Sequence, residues 1–183
     1  TSAAPLSTYD VVVAQVEAAL GQSLHELVGA CRESCPGIVS YYEPEDLVLY
    51  ASASLQDNPP TNATYLTKGF GEALLGHWDE LVSGVQRAVT FLEEERVFDA
   101  KRLPTDVVLP VLTALWARAP QGLDAEGRAR TILRKYLWRA FFCNRYEKST
   151  NSRALVDYLE LRALIAQADA PQPTIFDDAQ YPL

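Results

Sequence analysis

Apolar residues in this chain recur at helical spacing, and no stretch alternates as a strand would. The longest stripe runs through Phe70, Leu74, Trp78, Leu81, Val85, Val89 and Leu92, opposite Glu72, Asp79, Glu80 and Arg87. A period near 3.6 residues turns one side of a helix toward a core and the other toward water. Such a pattern fits an all-α fold and little else. With 48% of its residues apolar, the chain has enough material for a sizeable core.

Punctuation divides the periodic stretches. A first helix follows Ser7 and Thr8 and stops at Gly21. Ser23-Leu24-His25-Glu26 reads as a capping box, in which serine and glutamate each accept a backbone N–H. Leu24, Leu27, Val28 and Cys31 follow in helical register until Pro36-Gly37. Pro44 suits the first turn of a helix carrying Leu47, Tyr50, Ala51, Ser54 and Leu55, and a loop from Asp57 to Thr67 comes next. The long stripe ends at Glu93-Glu94-Glu95, read as a solvated helix end. Leu103-Pro104-Thr105-Asp106 reads as a cap for an apolar helix, Val107 to Trp116, bent by Pro110.

After the turn Ala119 to Gly122, one helix spans Asp124 to about Tyr146. A last helix follows Ser149–Ser152, with Leu155, Val156, Leu159 and Ile165 facing inward. These readings predict an all-α fold, an irregular multi-helix bundle of about seven helices over residues 1–170. Pro171, Pro173 and Pro182 predict an extended tail or linker over residues 171–183. Helix lengths and loops differ too much for a solenoid repeat.

The three cysteines, Cys31, Cys35 and Cys143, are an odd and sparse set. They read as reduced thiols of a cytoplasmic protein rather than a disulfide framework, and Cys31 with Cys35 lacks the further ligands of a zinc site. There is no apolar run of membrane-spanning length and no secretory leader pattern. The match of Asn62-Ala63-Thr64 to a glycosylation acceptor is therefore read as chance. The chain opens at Thr1 and contains no methionine, so it is read as a piece cut from a longer polypeptide, or as a processed or engineered chain.

Recognisable catalytic constellations are missing. His25 and His77 stand apart from any Ser or Cys nucleophile setting and from any metal-ligand spacing, so both read as packing or surface residues. Lys68-Gly69-Phe70-Gly71 lacks the spacing of a phosphate loop, and the acid pairs Glu45/Asp46 and Asp177/Asp178 read as solvated. No catalytic, cofactor-binding or metal residue is assigned, and no cofactor is expected.

Charge is distributed unevenly. The net charge is −8, yet Arg128 to Lys148 holds seven basic residues against the single acid Glu147. That segment carries +6, so the remainder carries −14. On a helix its core face is Ile132, Leu133, Tyr136, Leu137 and Ala140. Arg130, Arg134, Lys135, Trp138 and Arg139, with Arg145 and Lys148 beyond, mix cations with aromatic rings on the other sides. Phosphate contact and base stacking need that mixture, which makes these seven residues the candidate contact to nucleic acid or a protein partner. The same arginines could equally pair with acids on neighbouring helices. Both readings stay open at this point.

The segment Leu133–Ser149, followed by Arg153-Ala154-Leu155 and Asp157-Tyr158, resembles the helical region of GmrSD-type, ParB-like restriction proteins. Phe91-Leu-Glu-Glu-Glu-Arg-Val-Phe-Asp99 and Leu103-Pro104 resemble the same region, and the likeness spans about Tyr9 to Tyr181. The family's Asp-Gly-Gln-Gln-Arg signature and its His-Asn-His-type nuclease motif are both missing here, so none of its catalytic residues carries over. The resemblance implies a non-catalytic helical domain of a prokaryotic, phage-defence nuclease, scaffolding neighbouring modules of a larger parent protein and contacting DNA. The alternative is a free-standing helical protein–protein interaction module.

Overall fold

The computed structural model describes residues 6–103 and 105–183. Thr1 and Pro104, on which the sequence reading drew, lie outside them. Among the described residues there are nine α-helices and no strand. They are α1 (Thr8–Leu20), α2 (Leu24–Ser34), α3 (Pro44–Leu55), α4 (Asn62–Tyr65), α5 (Phe70–Gly76), α6 (Trp78–Glu94), α7 (Val108–Arg118), α8 (Leu123–Phe142) and α9 (Thr150–Ala166). Short 3-10 turns lie at Pro36–Ser40, Ala100–Arg102 and Thr174–Phe176. None of the helices is long and apolar enough to cross a membrane.

Local chemistry explains most boundaries. The Ser7 hydroxyl accepts from Asp10 N at 3.1 Å, while Ser7 N donates to the Asp10 carboxylate at 2.8 Å, a reciprocal cap. Gly21 ends α1 with φ of 64°, the left-handed region. At α2 the serine half of the expected box forms, Glu26 N donating to the Ser23 hydroxyl at 3.4 Å. Pro44 occupies the first turn of α3, as its fixed φ favours.

Two differences raise the helix count above the expected seven. The stripe from Phe70 to Leu92 is continuous in facing but not in backbone, because His77 breaks it with φ −120° and ψ 23°. Its ring nitrogen lies 2.9 Å from the Ser52 hydroxyl, which ties the break to α3. The loop after Asp57 also holds the single turn α4, capped by the Thr61 hydroxyl. In the other direction, α8 stops at Phe142, and Cys143 is extended. Arg145 therefore leaves the helix.

Helix α7 is the axis of the bundle, with every side chain from Val108 to Trp116 buried. Such all-round burial matches its all-round apolarity. Pro110 lies in its first turn, where a missing N–H costs no helical hydrogen bond, so the expected bend has no cause there. Helices α3, α6 and α9 surround α7. Helix α6 approaches most closely at Gly84, where a Cβ would stand 2.4 Å from the Thr113 carbonyl oxygen. Arg87, read as solvated, instead donates to the carbonyls of Trp116 at 2.7 Å and Ala119 at 3.0 Å, closing the C-terminus of α7.

The segment after Ala170 is docked rather than splayed out. Ile175 and Phe176 are buried, and their turn packs against both α8 and α9. Glu160 on α9 caps that turn, accepting from Thr174 N at 2.6 Å and from the Thr174 hydroxyl at 2.8 Å. The prolines exclude a helix here, but burying Ile and Phe side chains contributes about 1.5–3 kcal/mol each to holding the segment in place.

Candidate functional site: the arginine motif of α8

The arginine motif lies where α8, α9 and the C-terminal segment meet. Arg145 and Asp157 are both buried, their side chains 4% and 0% exposed. The guanidinium reaches the carboxylate through Nε at 3.1 and 3.2 Å and through Nη2 at 2.7 Å. The Tyr146 hydroxyl donates to the second carboxylate oxygen at 2.6 Å, and the Tyr136 hydroxyl lies 2.8 Å from that of Tyr146. Arg145 also donates to the Tyr181 hydroxyl at 2.7 Å, with its guanidinium carbon 4.9 Å from the Tyr181 ring centre. Arg153 closes the loop by donating to the Arg145 carbonyl at 2.6 Å.

The electrostatics follow from burial. Desolvation pushes the Asp157 carboxyl pKa up, against the Arg145 and Tyr146 hydrogen bonds that favour its anion. Burial also works against the Arg145 cation, but its bonds to Asp157 and Tyr181 outweigh that and hold its pKa above the usual value. Tyr136 and Tyr146 are raised, chiefly by burial, which keeps both phenols as hydrogen-bond donors. These residues make a satisfied polar network around a buried ion pair.

Arg139 sits one helical turn before the end of α8 and is also buried. It donates to the Ile175 carbonyl at 3.0 Å, to the Tyr181 carbonyl at 2.5 Å and to the Asp178 carboxylate at 2.5 Å. Arg139 and Arg145 thus hold the same C-terminal segment from two sides. Lys135 covers the segment's Phe176 ring at 4.3 Å.

The other residues singled out in the sequence divide differently. Arg130 pairs with Glu94 and lies 5.5 Å from the Trp116 ring centre. Arg134 donates to Glu95 at 2.6 Å, and the Trp138 indole N–H reaches the same carboxylate at 3.4 Å. The acids at the end of α6, expected to be solvated, therefore receive the outer arginines of α8. Lys148 is exposed in the loop after α8. The seven candidate contact residues do not form one surface: Arg139 and Arg145 face inward, Arg130 is half-buried, and Arg134, Lys135, Trp138 and Lys148 remain outside.

Sequence reasoning missed Asp157, Tyr181 and Glu160 as partners. Asp157 carried a signal, since it stands between Ala154 and Tyr158 on the face that α9 buries. Val156, expected inside, is 40% exposed because that face is turned to admit Asp157. Elsewhere, Cys31 and Cys35 are buried thiols, and burial raises the pKa of both. Among the described residues no group of His, Cys, Asp and Glu side chains is placed to hold a metal ion.

No protein-family description, curated protein or solved structure matches this chain.

Proposed function

We propose that this chain is a non-catalytic helical scaffold domain of a larger protein related to the GmrSD-type, ParB-like restriction proteins. One observation supports this reading best. Arg139, Arg145, Tyr146 and Asp157, which carry much of the resemblance, meet in a buried clasp rather than around an open cleft. Residues used in that way specify how helices and a terminal segment are held, and a scaffold needs that more than it needs reacting groups. In this reading the docked segment fixes where a following module leaves the bundle, and the family's chemistry belongs to modules on either side.

The full reading frame of the parent gene tests the proposal. It predicts an Asp-Gly-Gln-Gln-Arg motif encoded upstream of Thr1. A start codon immediately before Thr1 would overturn it and favour a free-standing interaction module.

A further inference from the structure

We infer that the cavity between α7, α8 and α9 binds a small organic anion, a single carboxylate or phosphate head on an aliphatic body. Its volume is about 380 Å³, within the range of small-molecule sites. Leu115 of α7 with Ala119 just beyond it, Ala125 of α8, and Ile165 and Ala166 of α9 make its walls apolar. Arg118, Arg128 and Arg162 are the only polar side chains among the described residues that line it.

Each of the three helices supplies one of these cations. Arg118 is the last residue of α7, Arg128 lies in the second turn of α8, and Arg162 is near the end of α9. Solvent reaches all three: Arg118 and Arg128 are exposed, and Arg162 is partly so. Each is also held by a group that does not line the cavity. Arg128 donates to the Leu164 carbonyl at 2.6 Å, Arg118 pairs with Glu80 at 2.7 Å, and Arg162 pairs with Asp57 at 2.7 Å. A guanidinium carries five N–H donors, so these contacts leave others for an anion. The side chains of Glu80 and Asp57 are 51% and 53% exposed, so an incoming anion competes with screened, weak pairs.

Charge and hydrogen bonding select the ligand. Three cations face no acid among the described lining residues, in a chain whose net charge is −8. A sugar or a base would need hydroxyls, amides or rings, and none of the described lining side chains carries one. A peptide terminus would bring N–H donors, but the Ala119 and Pro120 carbonyls already accept from Arg87 and that of Leu164 from Arg128. An anionic head on a body of methylene groups matches both the arginines and the apolar walls. This inference does not rest on the scaffold reading: ligand binding in solution decides it, whereas the parent reading frame decides the other.

Isothermal titration calorimetry with octanoate and with octyl phosphate, each below its micelle concentration, is the test. Saturable binding of at least one is expected, and the tighter of the two names the head group. Octanol, octylammonium and acetate should each bind at least about tenfold more weakly, for want of charge, of the right sign and of an apolar body respectively. Arg128→Gln removes one cation, and Ala125→Phe sets a ring against the cavity from an exposed position of α8. Both variants should keep the parent circular dichroism spectrum and lower affinity about tenfold. No saturable binding of either anion, equal binding of octanol, octylammonium or acetate, or indifference to both substitutions would each overturn the inference.

Discussion

Arg145 and Asp157 meet inside the protein, with Nε and Nη2 of the guanidinium 3.1 and 2.7 Å from the same carboxylate oxygen. One comes from the loop after α8 and the other from the second turn of α9, so the pair sets how these helices are turned toward each other. A buried ion pair need not stabilise a fold relative to apolar packing, because desolvating both charges offsets their attraction. Its consequence is specificity: with Tyr146 and Tyr136 it satisfies every strong polar group in that part of the core.

Arg139 holds the C-terminal segment mainly through carbonyls. Its carboxylate partner Asp178 is 83% exposed, so water screens that ion pair. Arg139→Ala leaves the Ile175 and Tyr181 carbonyls without their donor, a loss of about 1–3 kcal/mol. Hydrogen exchange should show loss of protection for the Phe176, Asp177 and Tyr181 amides, while α1 is unchanged. Unaltered exchange at those amides would show that the apolar side chains alone dock the segment.

Two glycine substitutions should act in opposite directions. Gly84→Ala puts a methyl group 2.4 Å from the Thr113 carbonyl oxygen, which forces α6 from α7 and should destabilise by about 1–3 kcal/mol. Gly127, within α8, has nothing within 4 Å of the added carbon. Gly127→Ala should stabilise by about 0.5–1 kcal/mol through helix propensity. Urea denaturation midpoints distinguish the two, and equal shifts would contradict the close approach at Gly84.

His77 supplies a pH dependence. Burial, followed by the Arg118 charge, lowers its pKa below the usual 6.5. The unfolded chain then takes up a proton in a range where the folded one does not, so stability falls as pH drops from about 6.5 toward the folded-state value. Melting temperature should decline over that range in the parent and decline less in His77→Gln. An identical pH profile for both would remove His77 as the cause.

The sequence shows the helices clearly and their partners poorly. Periodicity locates the core face of α8, since Leu133, Tyr136, Leu137 and Ala140 are buried as that pattern requires. It misses the break at His77, because the apolar stripe passes through the kink unchanged and the cause is a hydroxyl on α3. Prolines after Ala170 exclude a helix but say nothing about docking, which depends on Glu160, Arg139 and Arg145 in elements far along the chain. The arginine motif is visible as composition, yet its direction is not: Arg145 and Lys148 are near neighbours in sequence, one buried and the other in solvent.

The clasp is the central claim, and urea denaturation of Asp157→Ala tests it most directly, with Arg32→Ala, from a pair open to solvent on both sides, as the reference. Removing the Asp157 carboxylate strands a buried guanidinium and should cost about 3–5 kcal/mol. Arg32 is 47% exposed and its partner Glu45 35%, so its loss should cost under about 1 kcal/mol. If Asp157→Ala and Arg32→Ala instead unfold at the same urea concentration as each other and the parent, Arg145 and Asp157 do not hold this fold together.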